Sequence, residues 1–283
     1  MSAADPLKIA KRDVGKGSTI GFATLPTPED LTRHFTDTLM AEYRAAKDAG
    51  RDKVVFIVPV GPVGQFGLWA ERCNAERVSL ADLVLINMDE YLTPDGRAFI
   101  PESDPLSFRA HMRRNFHEIL DPALAPPEAA CVFPDPGDLS AVPDLIARLG
   151  GVDVTFGGVG VTGHLAFNDP PEPGEVLDSD AFAALPTRVV RLSRETRLNS
   201  ALTAARGNLD RIPELAVTVG MKEILGSRKV RIYMNRAWQC AIVRKLLHGP
   251  VTAAVPASLL QRHPDATVTA ADLVTDLPEP ELR

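Results

Sequence analysis

The chain has 283 residues, of which 45% are hydrophobic and 24% charged, a composition typical of globular proteins. Its net charge of −6 and the lack of a basic block argue against nucleic acid as a partner. No leading apolar segment is long enough for a signal peptide, and the apolar run at 54–64 is too short to span a bilayer. We therefore expect a soluble, cytoplasmic protein without a membrane partner.

The three cysteines, Cys73, Cys131 and Cys240, are far apart in the chain and odd in number. Neither a disulfide nor a metal site fits that spacing, since both need cysteines in suitable pairs or clusters. We expect each cysteine to be a small buried apolar residue.

Helical and extended patterns alternate along the chain. After an N-terminal arm over residues 1–25, apolar residues spaced four apart predict a helix over 28–49, with Gly50 as its stop. Further helices are predicted over 66–78, 104–120, 139–151 and 236–249. Strands are predicted over 53–60, 81–91, 152–160, 187–192, 229–234 and 251–256. The proline-rich stretches 121–137 and 169–174 are predicted as loops, and 275–283 as a loose tail.

The predicted strands are apolar throughout and are separated by helices. This pattern is typical of an α/β fold with a mainly parallel sheet covered on both faces, here as one domain over residues 1–283. Ligands bind such sheets where strands end at their carboxyl edge. Three loops therefore matter most: 60–65, 87–96 and 157–170.

The third of these loops opens "GGVGVTGHLAFNDPPEPG" (157–174), with five glycines, His164 and Asp169. The second begins with Asp89 and Glu90. Taken singly, an Asp-Glu pair is usually a helix cap, a lone histidine is usually structural, and Asn-Asp-Pro is an ordinary turn. Together at one sheet edge they indicate a site for moving protons, with a carboxylate as base and an imidazole as acid or base.

At this point the sequence resembles the glucosamine-6-phosphate deaminase family, also called glucosamine-6-phosphate isomerase. The resemblance runs from about residue 30 to 270. It is carried by "INMDEY" (86–91), "FGGVGVTGHLAFNDP" (156–170), "SRETRLNS" (193–200), "IPELAVTVGMKEIL" (212–225) and "VPASLLQRHPDATV" (255–268). The sister family, 6-phosphogluconolactonase, has the Gly-His loop but lacks "NMDEY", and it fits less well.

The resemblance implies a three-layer α/β/α sandwich of modified Rossmann type. It also implies a reaction in which an amino sugar phosphate is ring-opened, isomerised through an enediol and stripped of ammonia. In that scheme Asp89 carries the proton between adjacent carbons, and His164 opens the ring. Asp169 stands where the family usually has a glutamate that orients the histidine.

Two departures from the family pattern concern the proton relay. The family has an acid two residues before the histidine, and this chain has Thr162, whose hydroxyl cannot act as a base near neutral pH. Asp169 is one methylene shorter than glutamate, so its bond to the histidine is either remade by a small shift or lost.

Other departures concern the phosphate. The family's hydroxyl-Gly-Gly-hydroxyl turn, which binds phosphate at a helix N-terminus, is here "VGPVG" (60–64), with Pro62 lacking an N–H. Ala201 and Gln239 stand where the family has arginine and lysine. Arg188 and Arg197 match family arginines, and Arg191 or Arg194 could compensate.

Three functions remain open. The first is an isomerase or deaminase acting on an amino sugar or related sugar, with altered or absent phosphate recognition. The second is a sugar-binding protein with little catalysis, and the third is a lactonase. The predicted catalytic residues are Asp89, His164 and Asp169. The predicted substrate-binding residues are Gly61, Gly64, Glu90, Gly158, Gly160, Thr162, Gly163, Arg188 and Arg197.

We expect neither a metal nor a dinucleotide cofactor. The glycine run leads into His-Leu-Ala-Phe-Asn-Asp rather than a long helix, and no acid follows the next strand to contact a ribose. The expected partner is a small sugar. The sequence leaves open whether the chain forms a homo-oligomer.

Overall fold

The computed structural model describes residues 5–279. The strands of this part of the chain are β1 (Gly21–Leu25), β2 (Val54–Val58), β3 (Leu83–Asn87), β4 (Asp89–Tyr91), β5 (Cys131–Val132), β6 (Val154–Gly157), β7 (Arg188–Arg191), β8 (Leu215–Thr218), β9 (Lys229–Met234) and β10 (Ala266–Ala271). The α-helices are α1 (Pro28–Asp48), α2 (Gln65–Glu76), α3 (Phe108–Met112), α4 (Ala141–Arg148), α5 (Ser179–Ala183), α6 (Arg194–Ala204), α7 (Met221–Leu225) and α8 (Cys240–His248). No helix among residues 5–279 combines the length and apolarity that crossing a membrane requires.

Seven strands form one large sheet in the order β1-β10-β9-β6-β2-β3-β5. All of its neighbouring strands are parallel. Successive side chains of β2 point to opposite faces. Val54, Phe56 and Val58 join a core with α1 and α2, whereas Val55 and Ile57 join a second core with α8. Helices thus cover both faces, and the predicted three-layer α/β/α sandwich is confirmed.

Helix α1 illustrates how local sequence sets an element. The Thr27 hydroxyl accepts a hydrogen bond from the Asp30 N–H, and Pro28 occupies the first turn, where its missing N–H costs nothing. Residues at four-residue spacing, such as Leu31 and Phe35, are fully buried. Gly50 takes φ of +80°, which ends the helix within two residues of the predicted position.

The strand predicted over 81–91 is two strands in two sheets. β3 ends at Asn87 in the large sheet, and β4 begins at Asp89 in the small one. Met88 joins the sheets, because its N–H donates to Val58 and its carbonyl accepts from the Val219 N–H. The prediction of one continuous strand was wrong, since the whole segment is buried and its apolarity does not reveal the change of partner.

The second sheet is antiparallel, with the order β4-β8-β7. The strand predicted over 187–192 is β7, in this sheet. A third core fills the space beneath it, built from residues such as Tyr91, Phe167 and Ala216. Thr218 of β8 pairs with Asp89, and its hydroxyl accepts a hydrogen bond from the N–H of Phe167, three residues after His164.

Two further predictions were wrong. Residues 251–256 form a turn instead of a strand, in which the Val255 N–H donates to the Thr252 carbonyl. The helix predicted over 104–120 begins only at Phe108, capped by the Ser107 hydroxyl. From Arg113 to His117 it continues as a π-helical turn.

The predicted arm and tail are better ordered than expected. Residues 21–25 form β1, which pairs with β10 at the sheet edge, so the arm prediction fails there. Thr275, the first residue of the predicted tail, is buried. The buried Arg244 binds backbone carbonyls of both chain ends, including those of Ile9 and Thr275. Residues 1–4 and 280–283 of the two predictions lie outside the described residues.

All three cysteines are free thiols. Cys73 and Cys240 are buried, as predicted, whereas Cys131 is half-buried.

Candidate active site

A cavity of about 440 Å³ opens at the carboxyl edge of the large sheet. The loops after β2, β3, β6 and β9 contribute to its lining, which places it where parallel sheets bind ligands. Asp89 and His164 both line it, as do Gly61, Gly158 and Gly160. The structure therefore brings Asp89 and His164 to one cavity, whereas Asp169, the third predicted catalytic residue, lines a separate, smaller cavity.

His164 is held by a cluster of polar side chains at one ring nitrogen. Its Nδ1 lies 2.9 Å from Asp169 Oδ1. The Thr162 and Thr196 hydroxyls donate to the same carboxylate oxygen at 2.9 and 2.7 Å. Because both hydroxyl protons are used in this way, Nδ1 carries its own proton and donates it to Asp169. The shorter side chain of Asp169 thus still reaches the histidine.

Asp169 is an ionised anchor for this cluster. Burial by itself raises the pKa of its carboxyl, but the hydrogen bonds from His164, Thr196 and Thr162 and the charge of His164 outweigh it. The pKa is held well below its usual range. A second oxygen, Oδ2, accepts from the Ser193 N–H at 3.2 Å. An ionised Asp169 fixes the Nδ1–H tautomer and leaves Nε2 as the free acceptor of the imidazole.

Gly160 lies directly against the imidazole. A Cβ added at Gly160 would stand 1.9 Å from His164 Nε2. Only a glycine permits this approach, because any side chain would displace the ring. The glycine-rich loop therefore sets the position of the histidine.

Asp89 and Glu90 point to opposite sides of β4. Asp89 lines the cavity and is only 8% exposed. Burial, and secondarily the charge of Glu90, raises the pKa of Asp89 to about 8. A carboxyl with this pKa changes charge near physiological pH, which is a common property of catalytic acids and bases.

Glu90 has a different position from the one predicted. It is fully buried, and its carboxylate accepts from the Ser107 hydroxyl and from the N–H groups of Phe108 and Arg109. These donors form the beginning of α3. Glu90 therefore caps a helix and lies outside the cavity lining.

Curated proteins of known family are similar in sequence to this chain. The glucosamine-6-phosphate deaminase of Lachnoclostridium phytofermentans is 31% identical over 209 residues, which cover 73% of this chain and 81% of that protein. The glucosamine-6-phosphate deaminase of Rhodopirellula baltica is 31% identical over 220 residues, covering 76% of this chain and 80% of the relative. This chain belongs to the glucosamine-6-phosphate deaminase family. No protein-family model matches it.

Solved structures agree at the level of the fold. A monomeric glucosamine-6-phosphate deaminase superposes with a TM-score of 0.73 at 24% identity, covering 90% of this chain and 98% of that one. A 6-phosphogluconolactonase from Trypanosoma cruzi superposes with a TM-score of 0.63 at 13% identity, covering 92% of this chain and 97% of that one. The predicted family and its sister family are thus both found.

Several predicted substrate-binding residues of this deaminase-family chain lie outside the cavity lining. Gly64 is the N-cap of α2, with φ of +106°. Gly163 also has positive φ, and its carbonyl accepts from the Ala257 N–H. Thr162 contacts His164 and Asp169 from outside the lining.

The two predicted arginines are engaged elsewhere. Arg188 donates to Asn168 Oδ1 at 2.7 Å and lines a separate, smaller cavity of about 200 Å³. Arg197 donates to the Ile212 carbonyl at 3.2 Å and pairs with Glu214 at 3.4 Å. Neither lines the cavity that holds Asp89 and His164.

The cavity has polar lining residues that sequence reasoning did not select. Three of them lie on one face of α6, at spacings of one and four residues, and "SRETRLNS" contains the first two. A second histidine, His111, is presented by α3, and burial followed by the charge of Arg114 lowers its pKa. The unselected polar residues include His111, Asn199, Ser200, Thr203, Asn235 and Arg236.

Proposed function

We propose that this protein is a sugar isomerase and deaminase that acts on an amino sugar by proton transfer through an enediol. The observation that carries the proposal is the shared cavity of Asp89 and His164, one with a raised pKa and the other with a fixed tautomer. A base and an acid that face the same space can move protons on one bound sugar.

His164 is assigned the opening of the sugar ring. Its Nδ1–H donates to the ionised Asp169, so Nε2 is available to exchange a proton with a sugar oxygen. Asp169 also stabilises the imidazolium that forms when Nε2 accepts a proton. Thr162 and Thr196 complete the hydrogen bonding of Asp169 and hold it in place. In this scheme Thr162 supports the relay without acting as a base.

Asp89 is assigned the transfer between adjacent carbons. The ionised carboxylate takes the proton from the carbon that bears the amino group, which forms an enolamine, the amino counterpart of an enediol. The same group, now protonated, returns the proton to the neighbouring carbon and leaves an imine. Water adds to the imine carbon, and ammonia departs to give the ketose. A pKa of about 8 suits both steps, because neither form of the carboxyl is strongly favoured near neutral pH.

Recognition of a 6-phosphate is proposed to be weak. The wall beside the start of α2 contains Val60, Pro62 and Val63, which offer no hydroxyl. Gln239 is neutral, and its amide is committed to the Val159 carbonyl and the Arg236 N–H. Each lost hydrogen bond to a charged group is worth about 1.5–3 kcal/mol, so the loss of several lowers affinity by orders of magnitude.

Proton exchange tests the proposal. We expect the purified protein, incubated with glucosamine in D₂O, to introduce deuterium at C2 of the recovered glucosamine and at C1 of the ketose product, and to release ammonia. Asp89→Asn should lower both rates at least 100-fold, because general base catalysis contributes roughly that much. Asp48→Asn is a matched control, since Asp48 is exposed near the end of α1.

Sugar binding is measured in parallel by calorimetry. Binding without exchange, unchanged by Asp89→Asn, would identify a sugar-binding protein and contradict the proposal. Hydrolysis of 6-phosphogluconolactone without exchange at C2 would identify a lactonase, which needs His164 but not Asp89.

A further inference from the structure

Two bulky apolar side chains stand open at the mouth of the catalytic cavity. Val63 is 58% exposed, Trp238 is 38% exposed, and both line the cavity. Val63 follows β2 and Trp238 follows β9, the strands on either side of β6 in the sheet. The two side chains therefore flank the loop after β6 that carries His164.

The residues on either side of Val63, from Val60 to Gly64, have no hydroxyl or cationic side chain that could bind an anion. Pro62 has no N–H to donate. Gln65 begins α2, is fully buried, and turns its amide N–H back to the Val60 carbonyl at 3.3 Å. Its Oε1 has no hydrogen-bond partner among residues 5–279. An unpaired acceptor beneath an apolar surface disfavours a negative charge there.

Polar contacts for a sugar lie in other parts of the cavity. Asn199, Ser200 and Thr203 come from α6, while Asp89 and His164 supply the reacting groups. These residues can hydrogen-bond ring hydroxyls and the carbonyl end. The part of the substrate that reaches Val63 and Trp238 meets apolar surface instead.

We propose that the substrate is an amino sugar whose end remote from the carbonyl is uncharged and apolar, with 6-deoxyhexosamines as the simplest class. This inference rests on the proposed function, because the orientation of the sugar follows from the roles of Asp89 and His164. A methyl group at C6 would cover Val63 and Trp238 and remove apolar surface from water. A phosphate in that place would lose part of its hydration without meeting a hydroxyl or cationic side chain from Val60, Pro62 or Val63.

Arg236 is the residue that would bind a substrate with a negatively charged end. Among residues 5–279 it is the only lysine or arginine that lines the cavity, and it is exposed at the rim. A substrate with an anionic end would have to use this guanidinium. If the remote end of the substrate is apolar, replacing Arg236 should lower kcat/KM less than replacing Trp238 does.

The test compares three sugars with the full-length protein: 6-deoxyglucosamine, glucosamine and glucosamine 6-phosphate. Ammonia release gives kcat/KM, and C2 exchange in D₂O reports the proton step. We expect kcat/KM for 6-deoxyglucosamine to exceed that for glucosamine by about tenfold or more, because an apolar pocket discriminates against an added hydroxyl by up to roughly a hundredfold. Glucosamine 6-phosphate should be the poorest of the three.

Variants assign the preference to the apolar surface. Trp238→Ala should remove the advantage of the 6-deoxy sugar, so that this variant has about the same kcat/KM for 6-deoxyglucosamine as for glucosamine. Leu139→Ala is the matched control, because Leu139 is 37% exposed and does not line the cavity. Leu139→Ala should leave kcat/KM for both sugars unchanged.

Two results would overturn the inference. One is a preference for glucosamine 6-phosphate that Arg236→Ala removes, and the other is equal use of glucosamine and the 6-deoxy sugar with no effect of Trp238→Ala. The absence of C2 exchange with all three sugars would instead reject the proposed function. Calorimetry with the same sugars would then still test the preference at C6.

Discussion

At the scale of single residues, the two carboxyls of the site have opposite electrostatic surroundings. Asp169 receives hydrogen bonds from His164 and two threonines, and its pKa falls below the usual range although burial acts to raise it. Asp89 is buried beside the charge of Glu90, and its pKa rises to about 8. Asp169 is therefore a fixed anion, whereas Asp89 can change its protonation state during a reaction.

The raised pKa of Asp89 predicts the pH dependence of activity. The reaction needs ionised Asp89, so kcat/KM should rise about tenfold per pH unit below about 8 and level off above it. Steady-state rates between pH 5.5 and 9.5 measure the profile. A profile already flat at pH 6 would contradict the assignment of Asp89 as the base.

The raised pKa of Asp89 also predicts how the free energy of unfolding changes with pH. Because the folded pKa of Asp89 lies above the ordinary value of 3.8 for this side chain, protonation of Asp89 favours the folded state. Its contribution is fully present below about pH 4 and is lost as the pH rises through about 8. Asp89→Asn should remove this part of the pH dependence, as measured by denaturant unfolding at several pH values.

At the scale of elements, one strand positions two parts of the site. Side chains alternate along β4, so Asp89 faces the cavity while Glu90 faces the start of α3. Glu90 caps α3, which carries His111 into the cavity lining. The proposed base, Asp89, is therefore adjacent in the chain to Glu90, the residue that positions helix α3.

Replacing Glu90 tests this link. Glu90→Gln puts an amide donor against the Ser107 hydroxyl and the N–H groups of α3. We expect a loss of about 1–3 kcal/mol in the free energy of unfolding. Removing the Glu90 charge should also lower the pKa of Asp89, so the pH midpoint of activity moves to lower pH.

Glu71→Gln, in an exposed position of α2, is the control for this variant. Unchanged stability together with an unchanged pH midpoint in Glu90→Gln would show that the cap and the charge have no such role.

At the scale of the whole molecule, Arg244 joins the two ends of the chain. Its guanidinium is fully buried and donates to the carbonyls of Ile9, Cys240, Thr275 and Asp276 at 2.7–2.9 Å. These contacts connect α8 with segments far apart in sequence. The residues predicted to be arm and tail are held to the fold in this way.

Removing the guanidinium should destabilise the whole fold. Arg244→Met leaves four carbonyls without this donor, and we expect a loss of about 3–5 kcal/mol, as for other broken buried polar networks. Thermal unfolding should show a melting temperature lower by roughly 10 °C. Arg12→Met removes an arginine whose side chain is 87% exposed, and it should change the melting temperature little. A melting temperature of Arg244→Met that matches this control would show that the chain ends are held by other contacts.

The sequence by itself determined the fold class and the family, and it identified the two side chains that we propose as acid and base. Apolar strands such as 54–58 and helices such as 28–48 depend on periodicity and on caps within a few residues, which any local segment displays. His164 and Asp89 were identifiable for the same reason, because each follows a buried strand and lies in a distinctive motif. Gly160 was predicted only as a sugar contact, whereas the structure explains it by the ring that lies against it.

Only the tertiary structure decided which residues share the cavity. Arg188 and Arg197 match the family motif but point to other partners, while Arg236 and Trp238 reach the cavity from the segment after β9. The change of sheet at Met88 and the capping role of Glu90 likewise depend on Val219 and α3, which are distant in sequence. A local pattern reports whether a side chain is buried, but its partner is set by how separate segments pack together.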